Sequence, residues 1–274
     1  MAGIRQKLIR ITDVEDPRIA EFRDIRERDL VGRRHRFVAE GRVVLRTLSG
    51  SGRFSADKIL ILENRLAGLE DILDRFPADV PVMIGNRDLL DRIVGFPMHR
   101  GILAIGRRDR VETVSGAVAR LPENALVLAC SGISNHDNMG GLFRNAAAFG
   151  ADLVCLDGGC CDPLYRKAIR VSVGAALSVP YAVDETADDV VTVLSDAGFA
   201  VHALSPRGGT SITDLDPGRR SCLLVGTEGE GLPESLLARL DTVRIPQSPG
   251  FDSLNVATAA AIALFSLATQ MGRI

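Results

Sequence analysis

Short, β-prone apolar runs recur along this chain from one end to the other, with amphipathic stretches between them. That alternation leaves few options, because each run must be buried against a neighbouring layer; it points to layered α/β architecture. In the first half the pattern predicts strands at Arg36–Ala39, Lys58–Leu62, Val80–Ile84 and Gly101–Gly106, and helices at Gly41–Leu48, Arg65–Arg75 and Arg87–Val94. In the second half it predicts strands at Leu126–Cys130, Leu153–Leu156, Ala200–Leu204, Ser221–Val225 and Thr242–Ile245. The helices expected there are Met139–Phe149 with Asn138 as its N-cap, Leu164–Leu177, Glu185–Ala197, a short one after Pro233, and Leu254–Met271. A polar stretch containing Ser115-Gly116 marks the junction. The expected organisation is an N-terminal basic extension (1–30), a first domain (31–108), a linker (109–123) and a second domain (124–274).

With 274 residues, 46% hydrophobic and 25% charged, the chain has material for two modest cores. No apolar run approaches the roughly 18–20 residues that cross a bilayer, and the basic N-terminus lacks an apolar signal core. A cytoplasmic, non-membrane protein is expected. The cysteines (130, 155, 160, 161 and 222) are odd in number and form no C-x-x-C pair. The histidines (35, 99, 136 and 202) are scattered, so neither a disulfide framework nor a metal site is expected. Adjacent Cys160 and Cys161 suggest redox chemistry, against the plainer reading of ordinary reduced thiols.

Charge is unevenly spread. Residues 1–53 hold 13 Lys and Arg against 8 Asp and Glu, and the remainder holds 20 against 27. The excess lies in Arg23, Arg26, Arg28, Arg33, Arg34 and Arg36. Such a patch suits a phosphate-rich partner, although the interleaved Glu21, Asp24, Glu27 and Asp29 also fit a salt-bridged solvent face.

Three segments of the second half carry candidate chemistry. Gly226-Thr227-Glu228-Gly229-Glu230-Gly231 follows a predicted strand, but its glycines run G-x-x-G-x-G and no long helix opens behind it. It is therefore no dinucleotide fingerprint; glycines there let backbone approach a flat ligand, or simply make a surface turn. Arg144 lies on the small, apolar helix that begins near Asn138, where an unpaired buried charge would be costly; it is either paired or functional. Ser253 and Asn255 flank Leu254 at the start of the last helix, where capping accounts for both. Capping does not account for the preceding Ile245-Pro246 or for the loop that follows it.

Taken in order, Asn138–Ala146, Gly226–Leu232 and Ile245-Pro246 with Ser253–Ile262 resemble the three motifs of the SpoU (TrmH-like) RNA ribose 2′-O-methyltransferases. The resemblance covers roughly residues 124–274. A looser one, through Phe37-Val38-Ala39-Glu40-Gly41 and His99-Arg100-Gly101, links the first half to the family's small α/β substrate-binding domain. It implies an α/β fold whose C-terminal SPOUT domain holds a deep trefoil knot, a homodimer, and S-adenosyl-L-methionine bound mainly through backbone groups of Gly226, Ile245 and Leu254. By the same matching Arg144 is the chief catalytic residue, with Asn138, Glu228, Ser253 and Asn255 in support. A guanidinium is a poor general base, so hydrogen bonding to a developing 2′-alkoxide is the chemically sounder role.

The chain departs from the family pattern at Asn135-His136-Asp137, where an acidic-Pro lead is common, at Gln247 for a common Met, at Ala257 for a common Ser, and at Arg100 for a common Gln. None of these removes a proposed catalytic group. The extra N-terminal domain favours ribosomal RNA as the partner, with tRNA as the alternative. A catalytically inactive RNA-binding protein of the same fold is a further alternative. A Rossmann dehydrogenase is disfavoured by the glycine spacing.

Overall fold

The computed structural model describes residues 8–23, 30–31, 35–95, 97–250 and 252–274. The chain forms two compact units: Met1–Arg110 with Leu164–Ser178, and Val111–Pro163 with Val179–Ile274.

The first unit is built on a five-stranded sheet of order β1-β4-β3-β5-β2. The strands are β1 (Leu8–Arg10), β2 (Arg36–Glu40), β3 (Phe54–Leu62), β4 (Val82–Gly85) and β5 (Ile102–Arg108). β4 runs parallel to β1 and β3, while β5 runs antiparallel to β3 and β2. Helix Arg87–Val94 has the predicted bounds: Asn86 caps it by accepting from the Leu89 N–H at 2.9 Å, and Gly95 ends it in the left-handed region. The predicted helix Arg65–Arg75 is instead two short ones, Glu63–Leu66 and Glu70–Leu73, because Gly68 turns the chain at φ 83°.

Within the expected basic extension 1–30, the described residues 8–23 belong to the first unit's sheet and core. β1 pairs with β4, and Ile11, Ile19 and Phe22 are buried in the same core as Leu60, Met83, Leu90 and Leu103. Of the cationic run, Arg23 pairs with Glu15, and Arg36 pairs with Glu21 and, at 2.7 Å, with Asp57. Arg26, Arg28, Arg33 and Arg34 lie outside the described residues.

Segment 164–178, expected within the second domain, is also part of this unit. The Arg166 guanidinium donates to the Glu40 carboxylate at 2.8 and 3.0 Å. Gly174 packs where a Cβ would stand 3.2 Å from the Thr47 hydroxyl. The predicted single helix breaks into Arg166–Val171 and Ala175–Ser178, since Val173 and Gly174 both take positive φ (54° and 87°). That conformation is ordinary for glycine and strained for a β-branched residue.

The second unit carries a seven-stranded sheet of order β10-β12-β9-β11-β6-β7-β8, parallel at every pairing. Its strands are β6 (Ala125–Cys130), β7 (Leu153–Leu156), β8 (Tyr181–Val183), β9 (Ala200–Leu204), β10 (Thr210–Ser211), β11 (Arg220–Val225) and β12 (Asp241–Arg244). Every residue of β6 is buried, as a central parallel strand covered on both faces requires. Alternate residues such as Val127, Ala129, Cys222 and Leu224 join one core with helix Ala187–Asp196 and with helix Val114–Val118. The latter occupies what the sequence suggests is linker: Thr113 caps it, and Val114, Ala117 and Val118 are buried. Helices His136–Ala148 and Val256–Gln270 pack on each other, and Val256–Gln270 also packs on β11.

Candidate active site at the carboxyl edge of the second sheet

β12, β9 and β11 are neighbours and parallel, so the loops leaving their C-terminal ends emerge side by side. In open parallel sheets this is the edge where ligands bind. Here the loops and the start of helix Val256–Gln270 enclose a cavity of about 290 Å³. Gly226, Glu228, Ile245, Ser253, Leu254 and Asn255 all line it. Six of the eight candidate residues, spread over thirty positions of sequence, thus share one wall.

The glycine loop is shaped by its own backbone. A Cβ on Gly226 would stand 2.5 Å from the Gly231 carbonyl carbon and oxygen. Gly229 and Gly231 have φ of 90° and 74°. The Gly231 N–H donates to the Thr227 carbonyl at 3.2 Å, and the Thr227 hydroxyl to the Gly231 carbonyl at 3.3 Å. The sequence suggests that these glycines admit a ligand. At Gly226, however, the missing side chain makes room for the returning loop, which in turn leaves the strand end open to the cavity.

Asn138 has a different role from the one its position predicts. The N-cap of helix His136–Ala148 is Asn135, whose side-chain oxygen accepts from the Asp137 and Asn138 N–H groups at 2.8 and 3.4 Å. The helix starts earlier than predicted, so Asn138 falls inside its first turn and is buried. Its side-chain oxygen accepts from Asn255 Nδ2 at 2.9 Å, and the same Nδ2 donates to the Glu228 carboxylate. Asn255 Oδ1 meanwhile caps the last helix, accepting from the N–H groups of Ala257 and Thr258 at 3.0 and 3.2 Å. One asparagine therefore ends a loop, starts a helix and ties together all three motifs. Ser253 does not cap; it stands exposed on the cavity wall.

Arg144 lies on the same helix as Asn138, about 9 Å further along its axis at the usual rise per residue. It does not line the cavity, and it is exposed rather than buried. The desolvation argument that singled it out therefore does not apply. Among the described residues it has no hydrogen-bond or ion-pair partner, so its guanidinium is available to a ligand. The helix is held close to the last one: Asn145 Nδ2 donates to the Ala257 carbonyl at 2.7 Å, and a Cβ on Gly141 would stand 2.8 Å from that of Ala257.

Sequence reasoning missed Asp157. This buried carboxylate accepts from the Ser131 hydroxyl (2.8 Å) and from the N–H groups of Gly132 (2.9 Å) and Gly159 (3.1 Å). It thereby fixes the loop between β6 and the Arg144 helix; nothing local in the sequence reveals partners so far apart. Cys160 and Cys161 offer no thiolate, since burial pushes them up to about 12 and about 11. Among the described residues no group of His, Cys, Asp and Glu gathers to hold a metal.

The model of the SpoU rRNA Methylase family matches residues 125–265. This chain belongs to the SpoU methylase family. It is 38% identical over 265 residues to a Mycobacterium bovis protein named an uncharacterized tRNA/rRNA methyltransferase, covering 93% of this chain and 90% of that one. Among solved structures, an RNA 2′-O ribose methyltransferase superposes with a TM-score of 0.75 at 26% identity, covering 96% and 99% of the two chains. An AdoMet-bound rRNA methyltransferase from Sinorhizobium meliloti has the same fold, with a TM-score of 0.79 at 24% identity over 95% and 97%. The cavity suits the donor expected of a SpoU enzyme, S-adenosylmethionine. Leu204, Val225, Ile245 and Leu254 offer apolar surface for a purine, and Gln247 offers a side-chain oxygen with no partner among the described residues. Among the described lining residues Glu228 is the charged one, which favours a cationic sulfonium over a phosphate.

Proposed function

We propose that this SpoU methyltransferase methylates a ribose 2′-hydroxyl of RNA, with S-adenosylmethionine held in the cavity at the ends of β9, β11 and β12. The observation that carries this reading is the Asn138–Asn255–Glu228 cluster, which joins the Arg144 helix to the cavity wall. Bound S-adenosylmethionine would supply an electrophilic methyl group: the 2′-oxygen would take it in line as the methyl–sulfur bond breaks, with S-adenosylhomocysteine leaving and the hydroxyl proton passing to water. Backbone groups of Gly226, Ile245 and Leu254, which line the cavity, hold the adenosine, and Glu228 and Ser253 flank it. Asn138 and Asn255 fix the spacing between wall and helix, which alignment of the reacting atoms demands. Arg144 donates hydrogen bonds to the developing alkoxide and to the adjoining RNA phosphate.

Ribosomal RNA is the proposed target and tRNA the alternative; the first unit is the proposed RNA-binding part. The support is the family's description and the name of the Sinorhizobium structure. The proposed enzyme works in the cytoplasm; no helix among the described residues is long and apolar enough to cross a membrane. The SpoU resemblance is likewise the support for a deep trefoil knot in the second unit. A homodimer is proposed from the apolar surface that helix Val256–Gln270 leaves exposed at Ile262 and Phe265, where Phe265 meets Phe149 edge-on at 5.8 Å.

The test is to map ribose methylation in ribosomal and transfer RNA of a deletion strain. One lost modification, restored by the wild-type chain and not by Arg144→Ala, is expected. Unchanged ribose methylation, with a base methylation lost instead, overturns the 2′-O assignment.

A further inference from the structure

Most hydrogen-bonding side chains of the cavity wall already have protein partners. Asn255 spends its nitrogen on Asn138 and Glu228 and its oxygen on the last helix. The Thr227 hydroxyl donates to Gly231. Gln247 is different: it lines the cavity just beyond Ile245-Pro246, yet its side-chain oxygen is shielded from solvent and has no hydrogen-bond partner among the described residues. A buried acceptor without a donor is a standing cost to the fold, and a cost retained in a cavity wall is met when the ligand arrives. The terminal amide torsion of glutamine is broad and soft. The oxygen can therefore be re-aimed at a ligand without moving the backbone that Ile245 contributes.

We propose that Gln247 is a specificity-determining residue for the methyl donor, its amide oxygen accepting a hydrogen bond from the adenosine moiety. The donors available on that moiety are the adenine 6-amino group and the ribose hydroxyls. A methionine at this position would fill the same space and form no such bond, so the substitution separates packing from recognition. The inference rests on the cavity being the cofactor site, and the test treats that premise separately.

The test is calorimetric titration of the purified full chain with S-adenosylhomocysteine, with its 6-oxo (inosine) analogue, and with its 2′- and 3′-deoxy analogues. Three proteins are compared: wild type, Gln247→Met, and Ala259→Phe, which places a large side chain at another lining position of the cavity. Gln247→Met is expected to bind S-adenosylhomocysteine about tenfold more weakly, equivalent to ~1.4 kcal/mol. Its unliganded thermal midpoint should not fall, because the substitution removes an unpaired acceptor. Wild type should lose about tenfold towards one analogue, and Gln247→Met should show no further loss towards that same analogue, which identifies the donor group. Binding of Gln247→Met within twofold of wild type, or an equal analogue penalty in both proteins, overturns the role of Gln247. If Ala259→Phe abolishes binding in that case, the cavity remains the cofactor site and only Gln247 falls. If Ala259→Phe binds normally, the cavity assignment itself fails, and this inference with it.

Discussion

The sheet of the first unit and the ligand edge of the second make different use of their polar side chains. In the first, charges are spent on one another: Glu21 meets Arg36 and Lys58, Asp57 meets Arg36 and Arg107, and Glu40 meets Arg166. In the second, ion pairs form too, between Arg239 and Asp188 and, at 2.9 Å, between Arg273 and Asp152, but Arg144 stands exposed on its helix and the loop after β12 leaves the Gln247 oxygen unpaired among the described residues. The contrast follows from topology. A mixed sheet with antiparallel neighbours closes its edges locally, whereas a parallel sheet sends every strand end to a common rim. Chemistry collects where local pairing is incomplete, and the first unit is expected to contribute affinity and placement.

The sharpest way to break this contrast is Arg144→Ala. Loss of a donor aimed at developing charge costs on the order of 10²–10³ in rate, while S-adenosylhomocysteine affinity should stay within about twofold. Methyl incorporation into RNA and calorimetry measure the two quantities; retained activity would move the chemistry away from this helix.

Paired glycine substitutions come next. Gly226→Ala drives a methyl group into the Gly231 carbonyl, and Gly106→Ala drives one into the Phe37 ring at 2.3 Å. Each should cost about 1–3 kcal/mol of stability. Only Gly226→Ala should also weaken cofactor binding, by tenfold or more; equal binding in both would erase the distinction between the units. Denaturant melts with and without S-adenosylhomocysteine decide it.

Arg166→Leu leaves Glu40 facing the core without its cation. A fully buried pair broken in this way costs about 3–5 kcal/mol. Arg166 keeps 20% side-chain exposure, so roughly 2 kcal/mol is expected in urea unfolding. Cofactor affinity should not change.

The smallest effect concerns His202. It is buried on β9 with neither ring nitrogen hydrogen-bonded among the described residues, and burial holds it below its usual 6.5. The unfolded chain therefore binds a proton that the folded one refuses. Stability from this group is complete above pH 6.5 and is lost as pH falls below that value. His202→Leu should flatten that acid slope and change neutral-pH stability by no more than ~1 kcal/mol. An unaltered slope would assign it to other groups.

Much of the second unit was legible because its strands are buried on both faces and read as unbroken apolar runs. β7 and β9 have the predicted bounds. β8 and β10 are too short to register as periodicity, and β1 borrows its place from pairing with β4. The cavity residues were legible through the family resemblance, each being individually explicable as a turn or a cap. An asparagine before a small-residue helix, such as Asn138, reads in the sequence as its cap. Asn135 competed and won, leaving Asn138 to reach Asn255 across 117 positions of sequence. Such a partnership leaves no local trace. Gln247 stood out only as a departure from the family pattern, and its unpaired oxygen needed coordinates to be seen.

Segment 164–178 bears on how this protein can be taken apart. The polypeptide leaves one unit for the other at Arg110, again at Pro163, and returns after Ser178. A cut at Arg110 therefore does not yield two independent proteins. The upstream piece lacks the guanidinium that answers Glu40, and the downstream piece is left with the apolar Ala176 and Leu177 stripped of the neighbours that bury them. Anyone wishing to isolate the first unit must graft that short stretch back by a linker or a circular permutation. In evolution, too, the halves cannot be shuffled as beads on a string.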